Sequence, residues 1–541
     1  MSKLPHLLLA SSLFASALAG AQTAPQTSET ITIDAHAPSS PFPHFWEQTF
    51  GSGRAILSLR QSYRNDMRTV HAATGFKAVR FHGIFNDDVG LFDPNAEYKD
   101  PGLAATKIEA ASPYNFSYID QIYDGLLDLG VKPFVELSFM PKKMASDPSA
   151  IHPFWYHPNV SPPRDYAEWD RMIAAFAQHL VDRYGLEQVS TWDFEVWNEP
   201  NLDFWGGRPN MPTYYELYDH TALALKHVSP RLRVGGPSTA QAAYVGEFLA
   251  HCKSKNIPVD FTSSHVYGND DYKKILGADT PIPRDRMVYL AVKKVHDEIL
   301  ASPFPHMPLF FSEYNASYSN EPDVTDSVYM GPWLANNIRL CDGLTQEMSY
   351  WTFSDVFEEQ GVVRSPFYGG FGIIAEDGIP KPAFNAFAML HQLGDQRLKL
   401  DSAGAPEIQD ALATRSPDGS PAGSLVIALW NYTAPFGEGS TYTPPPANPG
   451  PSKSFILKLT GVSPDATVTI LRLDPDHGNV VKAFDRMGRP ATPSRQQIAD
   501  LRAAGTAAPP ETTHLTAGEL RLSLPPQALV VLKVQGTSTA R

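Results

Sequence analysis

Two glutamates in this chain stand where a carboxylate has to be accounted for. The stretch Trp192-Asp193-Phe194-Glu195-Val196-Trp197-Asn198-Glu199-Pro200 runs as a buried strand and then stops, because proline has no N–H with which to continue a ladder. Leu309-Phe310-Phe311-Ser312-Glu313 is a second apolar run that meets a glutamate. Burial among aromatic side chains raises the pKa of a glutamic acid, as a proton donor working near neutral pH requires. Cleaving a glycosidic bond takes two carboxyl groups: one protonates the leaving oxygen, and the other attacks the anomeric carbon or activates water. Glu199 is read as the acid and then the base, and Glu313 as the nucleophile. Tyr267 is expected to hydrogen-bond Glu313, and Asn198 to bind the sugar 2-hydroxyl. A retaining double displacement needs the two carboxyl groups ~5–5.5 Å apart. Glu195 reads instead as a buried structural partner of a neighbouring strand, with Arg80 the candidate.

Such a pair has to be delivered to one place by elements far apart in sequence. From His44 to about residue 395 the chain repeats a short apolar strand, a turn and an amphipathic helix. Eight strands are predicted, at Phe45–Phe50, Lys77–Phe81, Val131–Leu137, Thr191–Val196, Leu232–Gly235, Val259–His265, Pro308–Ser312 and Met348–Phe353. Helical patterns fill the intervals, from Tyr63–Thr74 to Ser327–Leu340, and Pro382–Leu393 closes the set. Eight such units predict an α/β fold, a (β/α)8 TIM barrel, because right-handed parallel crossovers close most simply into a ring. A doubly wound open sheet is the competing topology, and no glycine-rich phosphate fingerprint follows the first strand to support it.

Barrel enzymes gather their chemistry at the carboxyl ends of the strands, and ionisable groups collect there in this chain. The predicted rim carries Arg80 to Gly83, Glu136 to Phe139, Asn198-Glu199, His265 to Tyr267, Ser312 to Asn315 and Trp351 to Asp355, with Glu358-Glu359 in the last loop. His82 and His265, each by itself an ordinary core histidine, are read as ligand contacts because they share this rim. Beyond residue 395 the pattern changes to short strands at Leu425–Trp430, Phe455–Leu459, Val468–Leu473 and Leu529–Val534, broken by runs such as Pro444-Pro445-Pro446. That is the signature of a β-sandwich. The alternating strand Glu29–Asp34 has no local partner and is expected to join it, so that both chain ends build the accessory domain.

The totals agree with a neutral ligand. A net charge of -14 opposes nucleic acid and anionic membranes as partners. Residues 1–21, with Lys3, the run Leu7-Leu8-Leu9-Ala10 and small residues before Gln22, read as a cleavable secretory signal. An exported protein follows, periplasmic or extracellular, with no membrane insertion after cleavage. Residues 22–43 are then leader and first sandwich strand, 44–395 the barrel and 396–541 the rest of the sandwich. The two cysteines, Cys252 and Cys341, exclude a disulfide framework and read as buried thiols. No His-Glu-x-x-His or paired-cysteine spacing occurs, so neither a metal nor another cofactor is expected. The absence of a Gly-x-Ser-x-Gly elbow weakens an esterase reading.

At Asn198-Glu199-Pro200 the chain resembles the retaining glycoside hydrolases of clan A, and more closely family 39, the family of β-xylosidases and α-L-iduronidases. The resemblance extends over most of residues 41 to 395. It rests on Phe45-Trp46 with Gly51-Ser52-Gly53, Arg80 to Phe85, Phe194 to Leu202, Trp351 to Glu359, and Gly369 to Gly372 followed by Gly378 to Pro382. It implies Glu199 as acid/base and Glu313 as nucleophile, in agreement with the residues themselves. It further implies His82, Phe139, Asn198, His265, Tyr267, Trp351, Glu358 and Glu359 as sugar-pocket residues, the last two as acceptors of hydroxyl hydrogen bonds. Around the nucleophile the family more often has Thr-Glu-Trp, where this chain has Ser312-Glu313-Tyr314. The implied activity is exo-acting release of xylose from the non-reducing ends of xylo-oligosaccharides. Another glycone, such as an α-L-arabinopyranoside or a uronide, is the alternative within enzymes, and a carbohydrate-binding barrel without catalysis the alternative outside them.

Overall fold

The protein is described by a computed structural model that covers residues 27–94, 97–98, 106–107, 112–400, 410–416, 425–435 and 450–535. The proposed secretory signal, residues 1–21, lies outside the described residues. Eight parallel strands close a barrel: β1 (Thr49–Ser52), β2 (Ala78–Phe81), β3 (Lys132–Leu137), β4 (Asp193–Val196), β5 (Arg233–Thr239), β6 (Phe261–Tyr267), β7 (Leu309–Asn315) and β8 (Glu347–Tyr350). They neighbour one another in chain order, and Tyr350 pairs with Phe50 to complete the ring. The fold is the expected (β/α)8 TIM barrel with an accessory β domain.

Five strand predictions need correction: β5 runs on from the expected Gly235 to Thr239, β8 stops at Tyr350 short of the expected Phe353, and three others differ at an end. Phe45–Glu47 is a turn of 3-10 helix, not the start of a strand, and β1 begins only at Thr49. Phe45, Trp46 and Glu47 are all buried, so their burial does not alternate as a half-buried strand's would. At the other end of the barrel, β6 and β7 run on to Tyr267 and Asn315, past the residues where the sequence places their ends. The extension contains a register shift: Ser264 pairs with Phe311 and His265 with Glu313, so Ser312 is the extra residue of a bulge.

The barrel interior is built in layers. Ala78, Phe134, Phe261 and Phe310, from β2, β3, β6 and β7, plug its lower half, with the rings of Phe261 and Phe310 4.9 Å apart. Two residues further along the strands the inward positions become polar, and above that lies the mouth.

The accessory strands form two sheets. Thr27–Asp34 pairs in parallel with Lys453–Thr460, which also pairs with Glu519–Leu524, so the N-terminal strand does join the C-terminal domain. A seven-stranded sheet contains Leu425–Asn431 and Ala528–Val534 at its centre. Along the former, Leu425, Ile427 and Leu429 face the small sheet, whereas Val426, Ala428 and Trp430 join the barrel's own core. A strand buried on both faces in this way reads as continuously apolar, as Leu425-Val426-Ile427-Ala428-Leu429-Trp430 does. Two helices, Val480–Arg486 and Arg495–Gly505, are additions that the proline-rich sequence did not disclose; Val480, Phe484 and Leu501 pack on Phe367 and Ile379 of the barrel's last loop. Cys252 and Cys341 are buried and unpaired. Among the described residues no helix is long and apolar enough to cross a membrane.

Candidate active site

Arg80 organises the mouth of the barrel. It sits on β2 two residues above the aromatic plug, wholly buried. Its Nε donates to Glu195 Oε2 (2.6 Å), Nη1 to Glu313 Oε1 (2.7 Å) and Nη2 to Asn198 Oδ1 (2.9 Å), and Nη2 also pairs with Glu136 Oε2 (2.8 Å). A guanidinium is a planar fork of five N–H donors with no acceptor, so it can orient several acceptors at once while its charge offsets theirs. Glu195 is held from its other oxygen by Ser312 Oγ (2.6 Å), and is the structural partner of Arg80 that the sequence indicated.

The bulge in β7 is what allows the consecutive residues Ser312 and Glu313 both to reach inward. Ser312 engages Glu195 below, and Glu313 projects into the mouth. There the hydroxyl of Tyr267 donates to Glu313 Oε2 (2.7 Å), so each oxygen of this carboxylate has a donor. At the end of β4 the chain turns sharply: Trp197 and Glu199 have φ of 72° and 44°, a region that non-glycine residues seldom occupy. The turn is held by its surroundings. Trp197 donates its indole N–H to the carbonyl of Phe204 (2.7 Å), and the backbone N–H of Glu199 donates to Ser238 O (2.8 Å).

Glu199 and Glu313 face the same space. One oxygen of each and one nitrogen of His265 lie within 4.8 Å of one another. Their environments differ. Burial pushes the Glu199 carboxyl up to about 7, against the opposing charges of His82 and Arg80. His265 lies behind the pair, 2.9 Å from Glu199 Oε1 through Nδ1. Burial pushes this imidazole down to about 4, so it is neutral near pH 7. Its Nε2 faces Arg80 Nη2 (3.5 Å), a group that only donates, and therefore serves as the acceptor. The ring proton then belongs on Nδ1 and is donated to Glu199 Oε1, which leaves Oε2 to carry the carboxyl proton.

His82 is the opposite case. Burial disfavours its cation, but the Glu136 carboxylate 2.7 Å from Nδ1 outweighs that and lifts it to about 9. Glu136 itself is held low, against burial, by the charges of Arg80 and His82. Glu359 is pushed up to about 8, chiefly by burial, with the His82 cation opposing and the negative charge of Glu313 and Glu199 adding. Its Oε1 is 3.6 Å from His82 Nε2. Because Arg80 accepts nothing, the amide of Asn198 must turn its oxygen to Arg80 and its NH2 towards the cavity.

These groups surround a cavity of about 310 Å³, within the range of small-ligand sites. Of the sequence-predicted residues, His82, Asn198, Glu199, Tyr267, Glu313, Trp351 and Glu359 line it. The Trp351 indole lies 4.7 Å from the His82 ring and crosses β1 so closely that a Cβ on Gly51 would stand 2.2 Å from it. Only glycine admits the ring there.

Three expected pocket residues are placed differently. His265 is behind Glu199 and does not line the cavity. Phe139 is wholly buried beneath His82, at 6.0 Å between rings, and against Trp197. Glu358 points away: Oε1 pairs with Arg60 (2.7 Å) and Oε2 with Arg54 (3.2 Å), so of the two adjacent glutamates only Glu359 reaches the cavity. Consecutive residues of an extended loop project to opposite sides, and the sequence alone did not show which side was which.

The sequence reading missed Phe154, Phe204, Gln241, Asp270 and Tyr318, which complete the wall. All lie outside the barrel strands. The aromatic run Phe154-Trp155-Tyr156, in the long segment after β3, was the available signal. Gln360 and Phe371 also border a second cavity of about 540 Å³, which Trp155, Val362 and Arg364 help to line.

A carboxylic acid poised near neutrality, facing a doubly hydrogen-bonded carboxylate at close range, is the equipment of a retaining glycosidase. Known proteins are similar to this chain over most of its length. A β-xylosidase of Geobacillus stearothermophilus is 37% identical over 492 residues, covering 89% of this chain and 90% of its own. One from Caldicellulosiruptor saccharolyticus is 34% identical over 463 residues, covering 84% and 87%. The solved structure of a GH39 β-xylosidase from Caulobacter crescentus superposes with a TM-score of 0.76 at 32% identity, over 94% of this chain and 99% of that one. The profile of the glycosyl hydrolases family 39 matches residues 29–516, through the barrel and into the accessory sheets alike. With this fold, this carboxylate pair and these relatives, the chain belongs to glycosyl hydrolase family 39.

Proposed function

We propose that the protein is an exo-acting, retaining β-xylosidase that releases xylose from the non-reducing ends of xylo-oligosaccharides, with Glu313 as nucleophile and Glu199 as acid/base. The observation that carries the reading is the close approach of the two carboxyl groups in unlike environments. One oxygen of each lies within 4.8 Å of the other, closer than the ~6.5–9.5 Å by which an inverting enzyme separates its carboxyl groups. In the first step an oxygen of Glu313 bonds to the anomeric carbon, the glycosidic C–O bond breaks, and the proton of Glu199 passes to the departing oxygen. In the second, Glu199 takes a proton from water, the water oxygen bonds to the anomeric carbon, and the Glu313 ester is released. Asn198 presents N–H to the sugar, and Trp351 supplies a flat apolar face. The choice of xylose is supported by the two β-xylosidases that match most of the chain at 34–37% identity, whereas the α-L-iduronidases of mouse and human match at 23%.

Incubation with a 2-deoxy-2-fluoro-β-xyloside bearing a good leaving group should trap the ester, and mass spectrometry of a proteolytic digest should place it on the peptide containing Glu313. A label on another carboxylate would refute the assignment. A panel of aryl glycosides should rank β-D-xyloside first; faster turnover of the arabinopyranoside or of a uronide would replace the glycone. The same reading includes export, for which residues 1–21 provide the support. N-terminal sequencing of the protein from its native host should begin near Gln22.

A further inference from the structure

We propose that His44, Glu47 and His391 form a binding site for a divalent transition-metal ion, zinc above all, at the end of the barrel opposite the catalytic mouth. His44 and Glu47 are three residues apart on the 3-10 turn that leads into the amino end of β1, and His391 caps the last barrel helix, Pro382–Leu390. Their ligand atoms lie within 4.8 Å of one another. Nδ1 of His44 is 2.6 Å and Nδ1 of His391 2.8 Å from the same oxygen, Glu47 Oε1.

The arrangement is incomplete as a set of hydrogen bonds. Glu47 is 96% buried by virtue of its 4% exposure, yet Oε2 has no hydrogen-bond partner, and no lysine or arginine pairs with this carboxylate among the described residues. Both imidazoles crowd onto one oxygen of this buried carboxylate, and the other oxygen is left without a donor. A cation held by the two Nδ1 lone pairs and the carboxylate would take the place of these contacts, displacing to solvent whatever protons those nitrogens carry. Two imidazoles and one carboxylate suit zinc, with water in a fourth, tetrahedral position; calcium and magnesium prefer oxygen ligands throughout. His391 is 38% exposed, which gives an ion a route in. Lys77 and Lys533 lie near enough to repel charge at His391 and set a limit on affinity.

The site escaped the sequence because its third ligand is 344 positions from Glu47. Its placement makes it a clasp between the segment that enters the barrel and the helix that closes it, remote from Glu199 and Glu313.

The test is titration of chelator-treated full-length protein with zinc chloride by calorimetry. One equivalent should bind at micromolar or better affinity, and ~100-fold saturation should raise Tm by about 2 °C for a chain of this length. Cobalt(II) should give the visible ligand-field absorption of a tetrahedral site. His391→Ala, at a partly exposed position, and His44→Gln should each abolish the equivalent, the shift and the cobalt spectrum, while kcat/KM on an aryl xyloside stays within twofold of wild type. Failure of the wild type to bind one equivalent would overturn the proposal. So would an equivalent that persists in both variants, since zinc would then be held elsewhere.

Discussion

Replacing Glu199 by alanine separates the two halves of the proposed chemistry. With its pKa near 7, about nine-tenths of Glu199 is protonated at pH 6, whereas a carboxyl at the ordinary 4.5 would be about 3% protonated there. Burial therefore supplies most of the acid available to the first step. In the wild type, kcat/KM for xylobiose should fall as pH rises through about 7, approaching a tenfold loss per unit as the proton is withdrawn. In Glu199→Ala that limb should disappear. Removing a positioned general acid costs on the order of 10²–10⁴ in rate, or about 2.7–5.4 kcal/mol of barrel-mouth stabilisation of the transition state. The full loss should be seen with xylobiose, whose leaving group is an alcohol. Dinitrophenyl β-xyloside needs no proton to depart, so formation of its covalent intermediate should slow less than about tenfold. The intermediate should then accumulate for lack of a base, and azide should speed its breakdown and yield β-xylosyl azide. The assay is stopped-flow release of dinitrophenolate beside chromatographic xylose release, both across pH 5–9. An unchanged alkaline limb in the variant, or equal losses on the two substrates, would refute the role.

Further outcomes follow from particular contacts. Glu359→Gln should raise KM for xylosides at least tenfold, because Glu359 lines the cavity, whereas Glu358→Gln should change it less than twofold, because its oxygens serve Arg54 and Arg60. Stability should decline with rising pH over the window from 4.5 to 9. Glu359 titrates at about 8 folded against 4.5 ordinarily, and His82 at about 9 against 6.5, so both bind protons better when folded, and their contribution is lost as pH passes those folded values. Tm measured by calorimetry should be lower at pH 9 than at pH 5.5, and Glu359→Gln should flatten the slope. Ile427→Ala empties a position wholly buried between the two accessory sheets and should cost about 2–5 kcal/mol by denaturant unfolding. Lys381→Met strips the buried carboxylates Asp326 (2.7 Å) and Asp355 (2.6 Å) of their cation and should cost about 3–5 kcal/mol in the same measurement.

The barrel was legible because its strands are short apolar runs separated by amphipathic helices, a pattern that survives without any knowledge of contacts. The end of β4 was legible too, at Val196, although the turn at Trp197 and Glu199 ends the strand before Pro200 is reached. The pattern failed at Phe45–Glu47, where continuous burial imitated a strand, and at the ends of β6 and β7, where a bulge carried pairing beyond the expected stop.

By itself, then, the amino-acid sequence determined the strand-and-helix order of the barrel and pointed to Glu199 and Glu313 as the carboxyl pair proposed for the chemistry, since both readings depend on residue type and local period. Only the tertiary structure decided what those groups are. Glu199 is an acid near neutrality because strands brought together from across the chain exclude water around it, and His265, 66 positions away, settles which oxygen carries the proton. Glu313 faces the cavity because Ser312 is the odd residue in a parallel pairing with β6. The choice of Glu359 over its neighbour rests on Arg54 and Arg60, whose reach across the mouth no local pattern records. Charge, burial and register at that mouth are properties of several strands at once, so they exist only when the barrel is closed.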